Sequence, residues 1–239
     1  FNLNLLFIQY LYFGLNRAAT PTRHEKKPRK KTPAKPIKLA RTRLEPEVRK
    51  ALILDAAAHL VADEGVSAVS MERLGREAGV SKSLIYAYYP NLQDVLSTLL
   101  KREYSRLRNQ QIEAAERADT FAEMIRLITG AYMNYMDQRG LILERLSAEP
   151  SFADHGDPTE YNRSSAVNYL ADILHNNYDL ELGLAKAVVD ISFGLPAAGG
   201  HYLIREGTDR ELVEDITVTM ITGSIQAVLD KYGSSRKKL

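Results

Sequence analysis

Cysteine and tryptophan are missing from all 239 residues. Without cysteine there are no disulfides, thiolate nucleophiles or Cys-based zinc sites, and a chain of this kind is expected in the cytoplasm. Sustained period-two alternation is missing too, as are Asn-Gly and Asp-Gly turns, so no β-hairpin is expected. There is no phosphate-cradling Gly-rich loop, no dinucleotide glycine pattern and no Gly-x-Ser-x-Gly elbow. The five histidines (His24, His59, His155, His175, His201) show no His-x-x-x-His spacing, and His59 reads as a surface or boundary residue. Asp154-His155-Gly156-Asp157 is the one local metal-like cluster and reads as a polar loop. No enzyme, cofactor or metal is therefore expected.

Long apolar runs are scarce as well. Residues 1–15 are apolar but fall short of the roughly 20 residues that a membrane span needs. Asn2, Asn4 and Gln9 interrupt the run, and the basic residues follow it, whereas a secretory signal places them before. The segment reads either as a remnant of upstream translation or as a small packing segment, and no stable membrane association is expected.

Charge is present in quantity and divided unevenly. Residues 1–50 hold 13 Lys/Arg against 3 Asp/Glu, a net +10, while the other 189 hold 19 against 27, a net −8. Five of the nine prolines (Pro21, Pro28, Pro33, Pro36, Pro46) are interleaved with this basic stretch. Residues 1–45 thus read as a disordered basic arm suited to a polyanion, and residues 234–239 as a short basic tail.

From Glu47 onward the periodicity is helical. The first helix is expected over 47–64, with Leu52, Ile53, Ala56, Ala57, Leu60 and Val61 as its apolar stripe and Gly65 as its stop. Two short helices follow, capped by Ser70 and Ser81. A fourth starts near Asn91, directly after Pro90, and runs to about residue 117. Further helices are expected at 119–137, 141–147, 158–178, 182–206 and 209–232, with a loop over Glu149–Pro158. The fold class is all-α, with residues 46–92 as a small head and 93–233 as a helical body.

The head carries the informative motif. In Ser70-Met71-Glu72-Arg73-Leu74-Gly75-Arg76-Glu77-Ala78-Gly79-Val80-Ser81-Lys82-Ser83-Leu84-Ile85-Tyr86, the first short helix turns Met71, Leu74 and Ala78 inward. Gly79 permits a sharp turn, Val80 plugs the corner, and Leu84, Ile85 and Tyr89 line the inner face of the second short helix. Two short helices about a tight glycine turn form a helix-turn-helix, whose second helix enters the major groove of DNA. Ser81, Lys82 and Ser83 occupy the first turn of that helix, from which Lys82 can donate to guanine O6 or N7. Of Tyr86 and Tyr88, which point in different directions, one is free to pack and the other to reach a phosphate. Ser70, Arg73 and Asn91, with Arg41 and Arg43 from the arm, complete the expected DNA-binding set.

These residues resemble the DNA-binding domain of TetR-family (tetracycline-repressor-like) regulators. The resemblance runs through Ile53-Leu54-Asp55-Ala56-Ala57, Gly65, Ser70, Leu74-Gly75, Ala78-Gly79-Val80-Ser81-Lys82, Leu84-Ile85-Tyr86 and Tyr88-Tyr89, and extends to Leu99. Val61 departs from the family's usual Phe, and Leu92 stands where the family usually carries a phosphate-touching Lys. The basic arm is placed to compensate by lying along phosphates or entering the minor groove.

The resemblance implies a body that binds a small effector and dimerises through its last two helices, setting two heads on a palindromic operator. The residues add partial support. Gly194, Ala197 and Ala198, and then Met220, Gly223 and Ala227 with Ile216, form small-and-apolar stripes on those helices. Gly costs about 1 kcal/mol per helix-interior position relative to Ala, so glycines retained there suggest close approach. Pro196 adds an expected kink. Phe121, Met124, Tyr132, Met133, Tyr135, Met136, Phe152 and Phe193 are the Met- and aromatic-rich set from which a hydrophobic effector pocket is expected, with Met124, Tyr132, Met136 and Phe193 as its candidate lining. The expected function is a ligand-responsive, DNA-binding transcription regulator, most simply a repressor. A helical sensor or scaffold held to polyanions or a membrane surface by its arm is the alternative.

Overall fold

The computed structural model describes residues 45–150 and 160–233. The arm with Arg41 and Arg43, the apolar residues 1–15, the 154–157 cluster, Phe152 and the basic tail lie outside the described residues. So does most of the loop expected over Glu149–Pro158. Among the described residues the fold is all-α, without a strand.

Helix α1 spans Pro46–Glu64, opening with a proline at its first position and closing at Gly65. A 3-10 turn, Val66–Ala68, leads to α2 (Met71–Glu77) and α3 (Lys82–Tyr88). Helix α4 covers Leu92–Ala115 and α5 Phe121–Ser147. Then come α6 (Glu160–Tyr178), α7 (Leu182–Ser192), α8 (Gly194–Glu206) and α9 (Arg210–Tyr232). Side-chain caps set several starts: the Thr120 hydroxyl accepts from the Glu123 N–H at 3.1 Å, and the Glu123 carboxylate accepts from the Asp119 N–H at 2.9 Å.

Two boundaries differ from the sequence reading. The helices expected at 119–137 and 141–147 are one, α5. Gly140 does not end it, because the residue serves packing: a Cβ there would lie 2.5 Å from Ile204 Cδ1 of α8. Conversely, the helix expected over 182–206 breaks at Phe193 into α7 and α8. Pro196 has no N–H to offer the Ser192 carbonyl one turn earlier, so the ladder fails there. Arg163 of α6 stabilises the break by donating to the Asp190 carbonyl at 3.1 Å and stacking over the Phe193 ring. Leu52, expected in the buried stripe of α1, sits at its rim, 36% exposed.

Two main apolar cores result. One joins α1, α2 and α3 (Ile53, Ala57, Val61, Leu74, Ile85) to Leu99 of α4 and to Tyr135, Ile142 and Leu146 of α5. The other lies in the body and joins Phe121, Met124, Leu174, Val188 and Ile225. Each fully buried large aliphatic side chain contributes roughly 1.5–3 kcal/mol, so the head is held on α4 and the end of α5 by its own core.

Candidate nucleic-acid interface

The turn between α2 and α3 is built as its residues require. Gly79 has φ +65°, the left-handed region that L side chains avoid. The Val80 N–H then donates back to the Gly75 carbonyl at 2.9 Å. A Cβ on Gly75 would stand 3.0 Å from the Val80 carbonyl oxygen, so the turn folds tightly over a bare backbone. Leu74 and Ile85, both fully buried, clamp the two helices from beneath.

The opposite side of α3 faces outward. Ser81, Lys82 and Ser83 are exposed, as is Tyr86. Ser81 Oγ accepts from the Leu84 N–H at 3.2 Å and pairs with Ser83 Oγ at 3.1 Å, which orients both hydroxyls around Lys82. Tyr88 is half-buried beside Lys50, whose ammonium lies 6.0 Å from the ring centroid, and Tyr89 is buried. Tyr86 is thus the outward tyrosine and Tyr88 the packing one.

Other expected contact residues have structural engagements. Ser70 Oγ caps α2 by accepting from the Arg73 N–H. The Arg73 guanidinium grips the Glu64 carboxylate through both terminal nitrogens, one of them at 2.7 Å, so it is tied to α1. The hydrogen bond from Arg73 also holds the Glu64 carboxyl below its usual range. Asn91 Oδ1 accepts from the Asp94 N–H at 2.9 Å while its Nδ2 donates to the Asp94 carboxylate at 3.1 Å. Leu92 packs on the head's core. The start of α4 therefore presents the Asp94 carboxylate, held by Asn91, and an apolar Leu92.

Arg49 and Arg76, not singled out from the sequence, join Lys82 as head cations without an ion pair among the described residues. Residues 46–98 hold 5 Lys/Arg against 7 Asp/Glu, a net −2. Counting charge over the head alone, rather than over residues 1–50, was the signal that exposes this deficit.

On the body, α7, α8 and α9 turn an apolar face to solvent. Ile191, Tyr202, Leu212, Ile216 and Met220 are between 45% and 78% exposed. The small residues Gly194, Ala197, Ala198, Gly223 and Ala227 are exposed on the same helices. Ala198, Tyr202, Leu212, Ile216 and Met220 line a cleft of about 280 Å³. A more polar groove of about 550 Å³ runs between the start of α5 and α9, along Glu123, Arg126, Thr219, Thr222 and Gln226. By length and composition, Leu182–Glu206 and Arg210–Tyr232 each pass as apolar enough to cross a membrane.

The four residues expected to line an effector pocket are not brought together. Met136 belongs to the core shared with the head, and Met124 and Phe193 to the body core. Tyr132 bridges the first of these to a small cluster around Met133 and Leu203. Burial holds the Tyr132 hydroxyl up to a pKa of about 12. None of the four lines either groove: α5 turns Met124, Tyr132 and Met136 toward different helices, and Phe193, at the break between α7 and α8, packs on the body core.

Comparison with known proteins agrees with this architecture. Residues 53–98 match the family described as "Bacterial regulatory proteins, tetR family". The chain is 34% identical over 82 residues to the HTH-type transcriptional regulator BetI of Rhizobium meliloti, covering 34% of this chain. It spans only 40% of that relative's length. Among solved structures it is similar to a TetR-like transcriptional regulator from Rhodococcus sp. RHA1, with TM-score 0.61 and 18% identity over 75% of this chain and 96% of that one. It is also similar to the transcriptional regulator FadR from Bacillus subtilis in complex with stearoyl-CoA, with TM-score 0.59 and 17% identity over 73% of this chain and 98% of that one.

Proposed function

We propose that this chain, whose residues 53–98 match the tetR regulatory family, is a homodimeric, effector-responsive transcription regulator of that family that reads a palindromic operator. The observation that carries this reading is the exposed Ser81-Lys82-Ser83 turn at the start of α3, set on a buried Leu74–Ile85 clamp by the left-handed Gly79. A helix first turn that is polar outside and rigid underneath is what base-edge contact in the major groove requires.

The apolar face of α7, α8 and α9 supports the dimer. Contiguous exposed apolar surface marks an interaction site, and two copies of this face would pair about a two-fold axis. The effector site belongs to the body, and a hydrophobic effector fits the apolar character of its helices. The stearoyl-CoA held by the B. subtilis structure is consistent with a ligand of that class. Effector binding would shift the population of head spacings, and repression would be released when the spacing no longer matches successive major grooves. A cytoplasmic location follows from that role.

A second reading rests on one observation, the net −2 charge of the head beside the net +9 of residues 1–45. In that reading the chain is a helical sensor held to a polyanion or membrane surface by its arm. Selection of bound sequences from random DNA, repeated with the Lys82→Ala/Ser83→Ala variant, separates the two. A palindromic consensus lost in the variant supports the regulator. Sequence-independent binding unaffected by the variant supports the arm-held sensor.

A further inference from the structure

Glu103 is the one carboxylate among the described residues that is completely buried, and it sits where the head meets the body. It lies on α4, one residue from Arg102, and faces α5. Arg139 grips it with Nε at 2.7 Å and Nη2 at 2.8 Å, and the Tyr135 hydroxyl donates to it at 2.9 Å. Arg102 Nη2 stands 3.3 Å away and Arg106 Nη1 3.5 Å. Arg102 in turn reaches α1, donating to the Asp55 carboxylate at 2.7 Å and to the Leu54 carbonyl at 3.1 Å. A chain of charged hydrogen bonds, joined at the Arg102–Glu103 ion pair, therefore runs from α5, through α4, to the first helix of the head.

Stability alone gives a poor account of this arrangement. Burying a carboxylate with arginines costs about as much desolvation as the pairing returns, and apolar replacements of such clusters are often neutral. The head already has an apolar seat on α4 and α5. Apolar contact is non-directional, however, and tolerates small rotations, whereas a bidentate guanidinium–carboxylate pair fixes distance and angle together. The same stretch of α5 meets α8 closely. A Cβ on Gly200 would lie 2.9 Å from both Met136 Cγ and Tyr132 Cε1. The exposed apolar face thus leans on the helix segment that holds Glu103.

We propose that Glu103, with Arg139 and Arg102, is a positioning lock that fixes the angle of the reading head relative to the body and so the spacing of two recognition helices. The inference rests on the regulator reading for its consequence in DNA binding, but the lock itself is a property of one chain. A head displaced by about one base step, 3.4 Å, no longer presents α3 in register.

The chain has no native cysteine, so labels can be placed at will. Spin labels at Ser67→Cys in the head and Asp172→Cys on α6, both exposed, report the head–body distance in protein diluted with unlabelled copies. The wild-type background should give a single narrow distance. Glu103→Met/Arg139→Met removes both charges and keeps the bulk. It should fold with unchanged helical content, give a broadened or displaced distance, and weaken operator binding about tenfold or more, within the range of coupling between distant sites. A folded double variant with the wild-type distance overturns the lock. Should that variant fail to fold, Arg102→Met cuts the link to Asp55 and Leu54, together with the 3.3 Å contact to Glu103, and leaves Glu103 paired with Arg139 and Tyr135. A broadened distance in it supports the lock, and an unchanged one refutes it. The distance is read without DNA, so a wild-type protein that binds no operator would refute the regulator reading and leave this result standing.

Discussion

Arg145, two residues before the end of α5, donates from one nitrogen to the carbonyls of both Val61 and Ala62, at 2.8 and 2.7 Å. These carbonyls belong to the last turn of α1, where helical donors run out; Val61 still accepts from the Gly65 N–H at 3.2 Å, and Arg145 adds a charged donor to both. The body thus caps the head's first helix, with a cation placed at the negative end of that helix's dipole.

Arg145→Met should leave both carbonyls without their charged donor and destabilise the head by about 1–3 kcal/mol. Hydrogen exchange of amides in α1 to α3 should accelerate, with amides of α6 unchanged. Uniform acceleration across the chain would show that the contact serves the whole fold rather than the head.

The glycines of α8 and α9 should respond with opposite signs. Gly200→Ala meets Met136 Cγ and Tyr132 Cε1 at 2.9 Å, and such overpacking typically costs about 1–3 kcal/mol. At Gly223 nothing lies within 4 Å of the added methyl. In a monomer, Gly223→Ala should gain up to about 1 kcal/mol from helix propensity. A lower melting temperature for Gly200→Ala and a raised or equal one for Gly223→Ala is the expected pair, read by thermal denaturation. If Gly223 lies in a dimer contact, sedimentation should show Gly223→Ala weakening self-association.

Acid should loosen the lock. Burial alone pushes the Glu103 carboxyl up, but hydrogen bonds from Arg139 and Tyr135 and the charges of Arg139 and Arg106 outweigh it and leave it below the usual value of 4.5. A carboxyl lower in the folded than in the unfolded state contributes stability that is full above the unfolded value and lost as pH falls through the folded one. Unfolding free energy should therefore decline below about pH 4.5, and Glu103→Gln should flatten that decline. An identical acid limb in the variant would mean that other carboxylates carry it.

Much of the head was legible in the sequence because its cues are local. Ser70, Ser81 and Asn91 each cap the helix that follows, and Gly79 takes the left-handed turn, since these effects involve residues within four positions of one another. What the sequence did not reveal is long-range. Nothing near Gly140 says that Ile204 fills its place, and nothing near Glu103 says that Arg139, 36 residues away, will neutralise it. The dispersal of the expected effector set has the same reason. Periodicity places Met124, Tyr132 and Met136 on one helix but does not tell which neighbour each one meets.

The head's charge deficit points to the arm. Residues 1–45 carry 11 Lys/Arg against 2 Asp/Glu, while residues 46–98 are net −2. Each phosphate neutralised on B-DNA adds about 0.9 to the slope of log affinity against log salt. Removal of residues 1–44 should therefore flatten that slope by several units and weaken binding most at low salt. An unchanged slope would place all the phosphate contacts on the head.

The most direct test of the account is operator binding by Lys82→Ala/Ser83→Ala beside the wild type, on the sequence selected from random DNA and on an unrelated duplex. Each base contact in the major groove supports about 1–3 kcal/mol of discrimination. The account predicts at least a tenfold loss on the selected sequence, with binding to the unrelated duplex nearly unchanged because the arm remains. Equal affinity of wild type and variant for both duplexes would contradict it and remove α3 as the reading element.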